Sequence, residues 1–137
     1  MTPAPGDDFI IDPLTATIQE LSFHLATNGV SSVQLVRMAL ARIADLDPHL
    51  NSIIELAPQS ALLDIAAGLD HERKSKSRGP LHGIPILVKD SIATDPALGM
   101  ETTAGSFALV GARVLGDHPA VGRVSLGVPA AARPIPR

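Results

Sequence analysis

The run at residues 79–106, GPLHGIPILVKDSIATDPALGMETTAGS, constrains the fold of this chain more than any other feature. Its apolar stretch 84–88 predicts a strand, which leads directly into the charged pair Lys89-Asp90. A lysine delivered by a buried strand loses the hydration of its charge, which is costly unless the amine is paired or neutral. Chains keep such a lysine mainly where the amine does chemistry, so Lys89 is the first candidate for a functional residue.

The residues alone leave two interpretations of Lys89 open. It is either a general base or one half of a structural charge pair with Asp90 at the end of the strand. Ser106, in the string AGSF, is interpreted as a turn or cap residue. It lacks the strand–serine–helix elbow, with flanking glycines, that exposes a nucleophilic hydroxyl.

Composition excludes several classes of function. The 137 residues suffice for one small domain or for part of a larger one, and 45% hydrophobic residues indicate a globular chain. Aromatic residues make up 2%, which argues against nucleic-acid binding by base stacking. The absence of cysteine excludes disulfides and thiolate zinc sites, and the histidines lack metal-ligand spacing, so we expect neither metal nor cofactor. No apolar run is long enough to cross a membrane, and we expect a cytoplasmic protein.

Caps and hydrophobic periodicity predict helices first and strands later. The first helix is expected to start at Asp12-Pro13 and to close at Asn28-Gly29, and the second to start in a Ser31/Gln34 capping box. The full predicted order is helix 12–28, helix 31–47, strand 51–56, helix 57–78, strand 84–88, loop 93–100 and a short helical piece at 102–110.

Two segments flank this predicted core. Residues 1–12 are expected to form a flexible arm, and residues 13–114 a partial domain. Residues 115–137 are rich in proline, alanine and glycine without periodicity, so we expect them to be disordered or the product of a frameshift. The cations at 73–78 could form an anion-binding patch, but a solvated helix end is favoured because cations suit the C-terminal end of a helix dipole.

Two linked blocks carry a family resemblance. On GPLHGIPILVKDSI at 79–92 and DPALGMETTAGSFALVGA at 95–112, the chain resembles the N-terminal part of the amidase signature family. The resemblance implies an α/β fold, the N-terminal portion of an α/β/α sandwich around a mixed sheet. It implies hydrolysis of carbon–nitrogen bonds in small-molecule amides by a Ser–Ser–Lys set, with Lys89 as the base. The residues that it places near the substrate pocket are Gly99, Met100, Thr102, Thr103, Gly105 and Ser106.

The sequence departs from the family pattern after about residue 114. No Gly-Gly-Ser-Ser string occurs in the chain, so both catalytic serines that the resemblance implies are missing. We therefore expect an amidase segment that is truncated and inactive alone. Two alternatives stay open: a non-catalytic regulatory fragment that docks on a full-length amidase, and a non-functional gene model.

Overall fold

A computed structural model describes residues 11–12, 15–125 and 130–134, which form helices and strands of an α/β fold. The helices are α1 (Ile18–Ala26), α2 (Ser32–Leu50), α3 (Gln59–Arg73) and α4 (Pro119–Ser125). The strands are β1 (Ile53–Leu56), β2 (Ile86–Leu87) and β3 (Ala130–Pro134), and 3-10 turns lie at Pro96–Leu98 and Phe107–Leu109. None of the helices in these ranges combines the length and the apolar character that crossing a bilayer requires.

Helix α1 begins later than its sequence predicted. Thr17 caps it, since the Glu20 N–H donates to the Thr17 hydroxyl at 3.2 Å and the Thr17 N–H donates to the Glu20 carboxylate at 2.7 Å. Asp12 instead belongs to a short turn, in which its carbonyl accepts the Thr15 N–H at 3.1 Å. The predicted start at Asp12 is wrong because the reciprocal capping box satisfies two backbone donors. The predicted close is confirmed by Asn28, which is left-handed at φ +59°.

Helix α2 has the predicted start and a later end. The Gln34 N–H donates to the Ser31 hydroxyl at 3.1 Å, and the Ser31 N–H donates to the Gln34 side chain at 2.8 Å. The predicted end at Asp47-Pro48 is wrong, because Pro48 removes a single N–H and the helix continues for its last turn. Asn51, at φ +47°, then closes the helix by donating its N–H to the Asp47 carbonyl at 2.7 Å.

The sheet is mixed, as the resemblance implied. Its strand order is β1-β3-β2, with β3 antiparallel to β1 and parallel to β2. The predicted strand 84–88 pairs over Ile86–Leu87 in the described residues. Pro85 has no N–H to donate just before this pairing, and Val88 turns into the core just after it.

The C-terminal segment was expected to be a disordered tail. In the structure, residues 119–125 form α4 and residues 130–134 form β3. Val121 anchors α4, since 4% of it is exposed, and the His118 N–H donates to the Ala93 carbonyl at 2.9 Å. The composition of this segment carries no periodic signal, but pairing with two existing strands overrides weak local propensity. The expectation for 126–129 and 135–137 lies outside the described residues.

Two clusters of buried side chains form the core. The main core joins α2, α3 and the segment around β2 through Val36, Ala57, Leu62, Ala66, Val88, Met100 and Val121. A second cluster contains Ile11, Leu21, Leu25, Val30, Leu35 and Ile84. Ile11 is therefore packed, although the sequence assigned it to a flexible arm, and residues 1–10 of that arm lie outside the described residues. Because Val88 and Met100 are both buried, the main core fixes the two ends of the segment that carries Lys89.

Candidate functional site

Asp90 is a buried carboxylate directly after Lys89, with 1% of its surface exposed. Its Oδ1 accepts the Thr103 N–H at 3.1 Å, while its Oδ2 accepts the Thr103 hydroxyl at 2.7 Å and the Gly105 N–H at 2.9 Å. These donors replace the water that a buried carboxylate loses. Asp90 thereby ties the end of the strand segment to the turn 103–106, and we call this arrangement the Asp90 clamp.

The turn in the Asp90 clamp has an unfavourable backbone. Ala104 and Gly105 both lie in the left-handed region, at φ +51° and φ +76°. This region costs a non-glycine residue such as Ala104 roughly 1–2 kcal/mol. The Ser106 N–H closes the turn on the Thr103 carbonyl at 2.9 Å. The hydrogen bonds to Asp90 offset the cost of the strained residue and hold the turn in one conformation.

Lys89 lies between two buried neighbours, but its own side chain is exposed. No ion pair among the described residues includes Lys89, and the carboxylate of Asp90 is engaged by the turn instead. The ion pairs of the described residues therefore give no support to the interpretation of Lys89 and Asp90 as a structural charge pair. The expected burial of the amine is also not found, since the described residues leave Lys89 open to solvent.

An open cleft of about 500 Å³ lies against the Asp90 clamp. Its apolar wall consists of Ile54, Phe107 and Val110, and its polar lining of Glu55, Asp90, Glu101, Thr103, Gly105 and Ser106. The Glu101 N–H donates to the Glu55 carboxylate at 2.7 Å, which joins β1 to the loop before the turn. Apolar walls with a few fixed polar groups are typical of small-molecule sites. Within the described part of the chain, no group of three or more His, Cys, Asp or Glu side chains is placed to hold a metal ion.

The predicted substrate-contacting residues divide between cleft and scaffold. Thr103, Gly105 and Ser106 line the cleft. Met100 does not reach it, because its side chain packs in the main core with 4% exposed. Gly99 ends a 3-10 turn at φ +72°, and the Thr102 hydroxyl accepts the Thr94 N–H at 3.4 Å. Gly99 and Thr102 therefore shape the loop rather than the lining.

A second polar network, which the sequence did not reveal, lies at the start of α2. The Asp70 carboxylate accepts the N–H groups of Ser32 and Val33 at 2.7 and 3.2 Å. Arg73 donates to Asp70 at 2.7 Å, to the Ser32 hydroxyl at 2.5 Å and to the His82 carbonyl at 3.2 Å. Burial acts to raise the pKa of Asp70, but the hydrogen bonds from Ser32, Arg73 and Val33 outweigh it and lower that pKa. This network fixes the end of α3 to the turn that precedes β2.

His82 belongs to the same network and is 4% exposed. Its Nδ1 accepts the Arg78 N–H at 3.0 Å, so its Nε2 carries the proton that it donates to the Leu69 carbonyl at 3.1 Å. Burial, and next the charge of Arg73, lower the pKa of His82. The imidazole is therefore held neutral as a structural link, and it is not exposed as a base.

The basic run at 73–78 is largely engaged within the protein. Arg73 pairs with Asp70, and Arg78 pairs with Glu72 at 2.5 Å between Nη2 and Oε2. The favoured interpretation of a solvated helix end holds for the exposed Lys74 and Lys76 and fails for the half-buried Arg73. The geometry gives no support to an anion-binding patch.

Comparison with known proteins shows that the chain is similar to amidases. The family model described as Amidase matches residues 34–125. A protein of Schizosaccharomyces pombe named as an amidase is 43% identical over 103 residues, which are 74% of this chain and 17% of that protein. A protein of Arabidopsis thaliana that is also named as an amidase is 38% identical over 110 residues, which are 80% of this chain and 21% of that protein.

A solved structure shows the same arrangement of elements. The peptide amidase of Stenotrophomonas maltophilia matches with a TM-score of 0.79 at 38% identity, covering 89% of this chain and 25% of that chain. The chain thus spans a quarter or less of the length of these three proteins. The family match continues through α4 to residue 125, beyond the point near 114 where the resemblance was expected to fade.

Proposed function

Because this chain belongs to the amidase signature family, we propose that it carries the lysine segment of an amide-bond hydrolase, with Lys89 as the general base. Small-molecule amides are the proposed substrates, and the cleft against the Asp90 clamp is the proposed place where they bind. The observation that carries the proposal is this clamp, because Asp90, the residue directly after Lys89, accepts hydrogen bonds from the cleft-lining turn 103–106.

The chemistry of the proposed reaction sets what the chain must supply. A serine hydroxyl attacks an amide carbonyl only when a base takes its proton. In the Ser–Ser–Lys set, that proton passes through a second serine to a neutral lysine amine and is returned to the leaving amine. This chain contributes the amine of Lys89. The serine pair is proposed to come from polypeptide outside these 137 residues, since the sequence contains no Gly-Gly-Ser-Ser string.

A chimera tests the proposal. Residues 34–125 of this chain replace the matching segment of the peptide amidase of Stenotrophomonas maltophilia, and hydrolysis of an amide substrate of that enzyme is measured. We expect turnover in the chimera, and a loss of at least about 10²-fold in kcat when Lys89 is changed to Ala. Lys76→Ala is the matched control, because it removes another exposed lysine amine far along the chain from the cleft.

The outcome distinguishes a base from a surface lysine. Loss of kcat in Lys89→Ala with full activity in Lys76→Ala supports the proposal. Equal activity of both variants in an active chimera would refute it, because the amine would then take no part in the reaction.

One observation favours a second candidate function, a regulatory fragment that docks on a full-length amidase. Several large apolar side chains are open to solvent, among them Phe107 and Leu115, each 96% exposed, and Leu87 on β2, 55% exposed. Apolar surface of this kind typically binds a partner or leads to aggregation. A sizing column run with and without a full-length amidase separates the cases: a shared peak supports docking, and a void-volume peak of the chain alone supports a non-functional product.

A further inference from the structure

The Asp90 carboxylate joins two segments that no local backbone pairing holds together. Lys89 and Asp90 leave β2 on one side, and Thr103 and Gly105 lie in the turn on the other. Both carboxylate oxygens accept hydrogen bonds from the turn. The contact therefore fixes a distance between segments that are 13–15 residues apart.

The turn 103–106 depends on this contact because other sources of order are weak there. Ala104, Gly105 and Ser106 are exposed, so burial contributes little to holding them. The left-handed backbone at Ala104 and Gly105 is unfavourable unless surrounding contacts determine it. Two hydrogen bonds lie within the turn, from the Ser106 N–H to the Thr103 carbonyl at 2.9 Å and from the Gly105 N–H to the Thr103 hydroxyl at 3.3 Å. The three that tie the turn to the rest of the fold converge on Asp90.

We propose that Asp90 is a positioning residue of the amide-binding cleft. Its carboxylate holds the turn 103–106 as one wall of the cleft, at a fixed place relative to Lys89. The inference rests on the proposed function only in taking this cleft as the place where an amide binds. It assigns Asp90 a role in ligand binding that acts through Thr103, Gly105 and Ser106.

The first test changes one donor of the clamp in the full 137-residue chain. Thr103→Val keeps the shape of the side chain and removes its hydroxyl, whereas Thr103→Ser keeps the hydroxyl that donates to Asp90. The probe is 4-nitroacetanilide, an aryl amide, followed through the backbone amide signals of Glu55 and Ser106 in nuclear magnetic resonance spectra. We expect about tenfold weaker probe binding in Thr103→Val, and restored binding in Thr103→Ser. Hydrogen exchange at the Gly105 amide should be faster by a similar factor in the Val variant alone.

The second test measures probe affinity against pH. A role of Asp90 that does not affect the cleft would leave probe affinity unchanged while the turn amides shift. In the unaltered chain, the amide signals of Thr103 and Gly105 should shift together as the pH is lowered, because both amides donate to Asp90. Probe affinity should fall over the same pH range. Asp90→Asn should abolish the shared titration. If this variant does not fold, the titration of the unaltered chain and the Thr103 pair still decide the question.

Each result has a distinct meaning. The positioning role is supported if probe affinity changes over the same pH range as the turn amides, and if Thr103→Val weakens binding while Thr103→Ser restores it. Equal probe affinity in the unaltered chain and in Thr103→Val overturns this role and leaves the proposed function intact. An unaltered chain that binds no probe, although its turn amides titrate, overturns the proposed use of the cleft and the positioning role together.

Discussion

At the scale of single residues, Gly83 shows how tightly the network at the start of α2 is packed. Its backbone has φ +87°, and a Cβ added there would lie 2.0 Å from the Ser32 hydroxyl and 2.2 Å from Arg73 Nη2. We expect Gly83→Ala to lower the free energy of unfolding by about 2–4 kcal/mol, through backbone strain and displacement of both partners. Urea denaturation measures this change.

Gly68 is the matched control for that substitution. It lies in α3, and an added Cβ there would meet nothing within 4 Å. Gly68→Ala should therefore stabilise the chain by about 0.5–1 kcal/mol, because alanine favours the helix. Similar effects of the two substitutions would show that the turn at Gly83 is looser than its contacts indicate.

His82 makes stability depend on pH. Its pKa is lowered in the folded chain, by burial first and by the charge of Arg73 second, so the unfolded chain binds the proton more tightly. The free energy of unfolding is therefore highest above the ordinary histidine pKa of about 6.5, and it falls as the pH drops below that value. We expect His82→Asn, which keeps an acceptor for the Arg78 N–H, to be less stable at about pH 8, with the difference shrinking towards about pH 5.5. Urea denaturation of both proteins across this range is the measurement, and a constant difference would contradict the explanation.

At the scale of secondary structure, Asp70 connects the start of α2 to the end of α3. It caps the Ser32 and Val33 N–H groups and pairs with Arg73, all on one carboxylate. Asp70→Asn removes the charge from these bonds and should lower the free energy of unfolding by about 2 kcal/mol. Chemical denaturation measures the loss.

Asp64→Asn is the control for Asp70→Asn, since Asp64 is an exposed acid on the same helix. Its effect should stay within about 0.5 kcal/mol. A control variant as unstable as Asp70→Asn would mean that general charge on α3, and not the cap at α2, explains the loss.

The elements that the sequence predicted are those whose signals are local. The Ser31 capping box and the left-handed Asn28 depend on residues within one turn of the chain, and both are confirmed. The predicted start of α1 was wrong because two local capping signals competed. Thr17 caps the helix, since it forms the reciprocal capping box with Glu20. The cap that Asp70 gives to Ser32 spans 38 residues, so no short-range pattern could reveal it.

The same reasoning separates what was predictable in the candidate site. Of the residues to which the family motif pointed, the turn residues Thr103, Gly105 and Ser106 line the cleft. The cleft lining does not include Lys89 or the loop residues at 99, 100 and 102. A charge pair with Lys89 was one of the two interpretations that the residues alone left open for this part of the chain. The donors to Asp90 in the turn lie 13–15 residues further on, across a loop without periodicity, so only the tertiary structure could identify them.

At the scale of the whole molecule, β3 gives the sheet its continuity. It supplies backbone partners to β1 on one side and to β2 on the other. The composition of the segment predicted neither β3 nor α4, because both depend on packing against elements formed far earlier in the chain. The chain matches one quarter of the peptide amidase structure. Both its cleft and the Lys89 side chain are open to solvent.

The central claim is that this polypeptide carries the base of an amide hydrolase and leaves the nucleophile to other polypeptide. The most direct measurement is release of 4-nitroaniline from 4-nitroacetanilide by the purified 137-residue chain, compared with its Lys89→Ala variant. The account predicts no release above the buffer rate in either protein, because a base without its serine cannot form the acyl intermediate. Steady turnover by the unaltered chain that disappears in Lys89→Ala would contradict it, since the chain would then contain its own nucleophile.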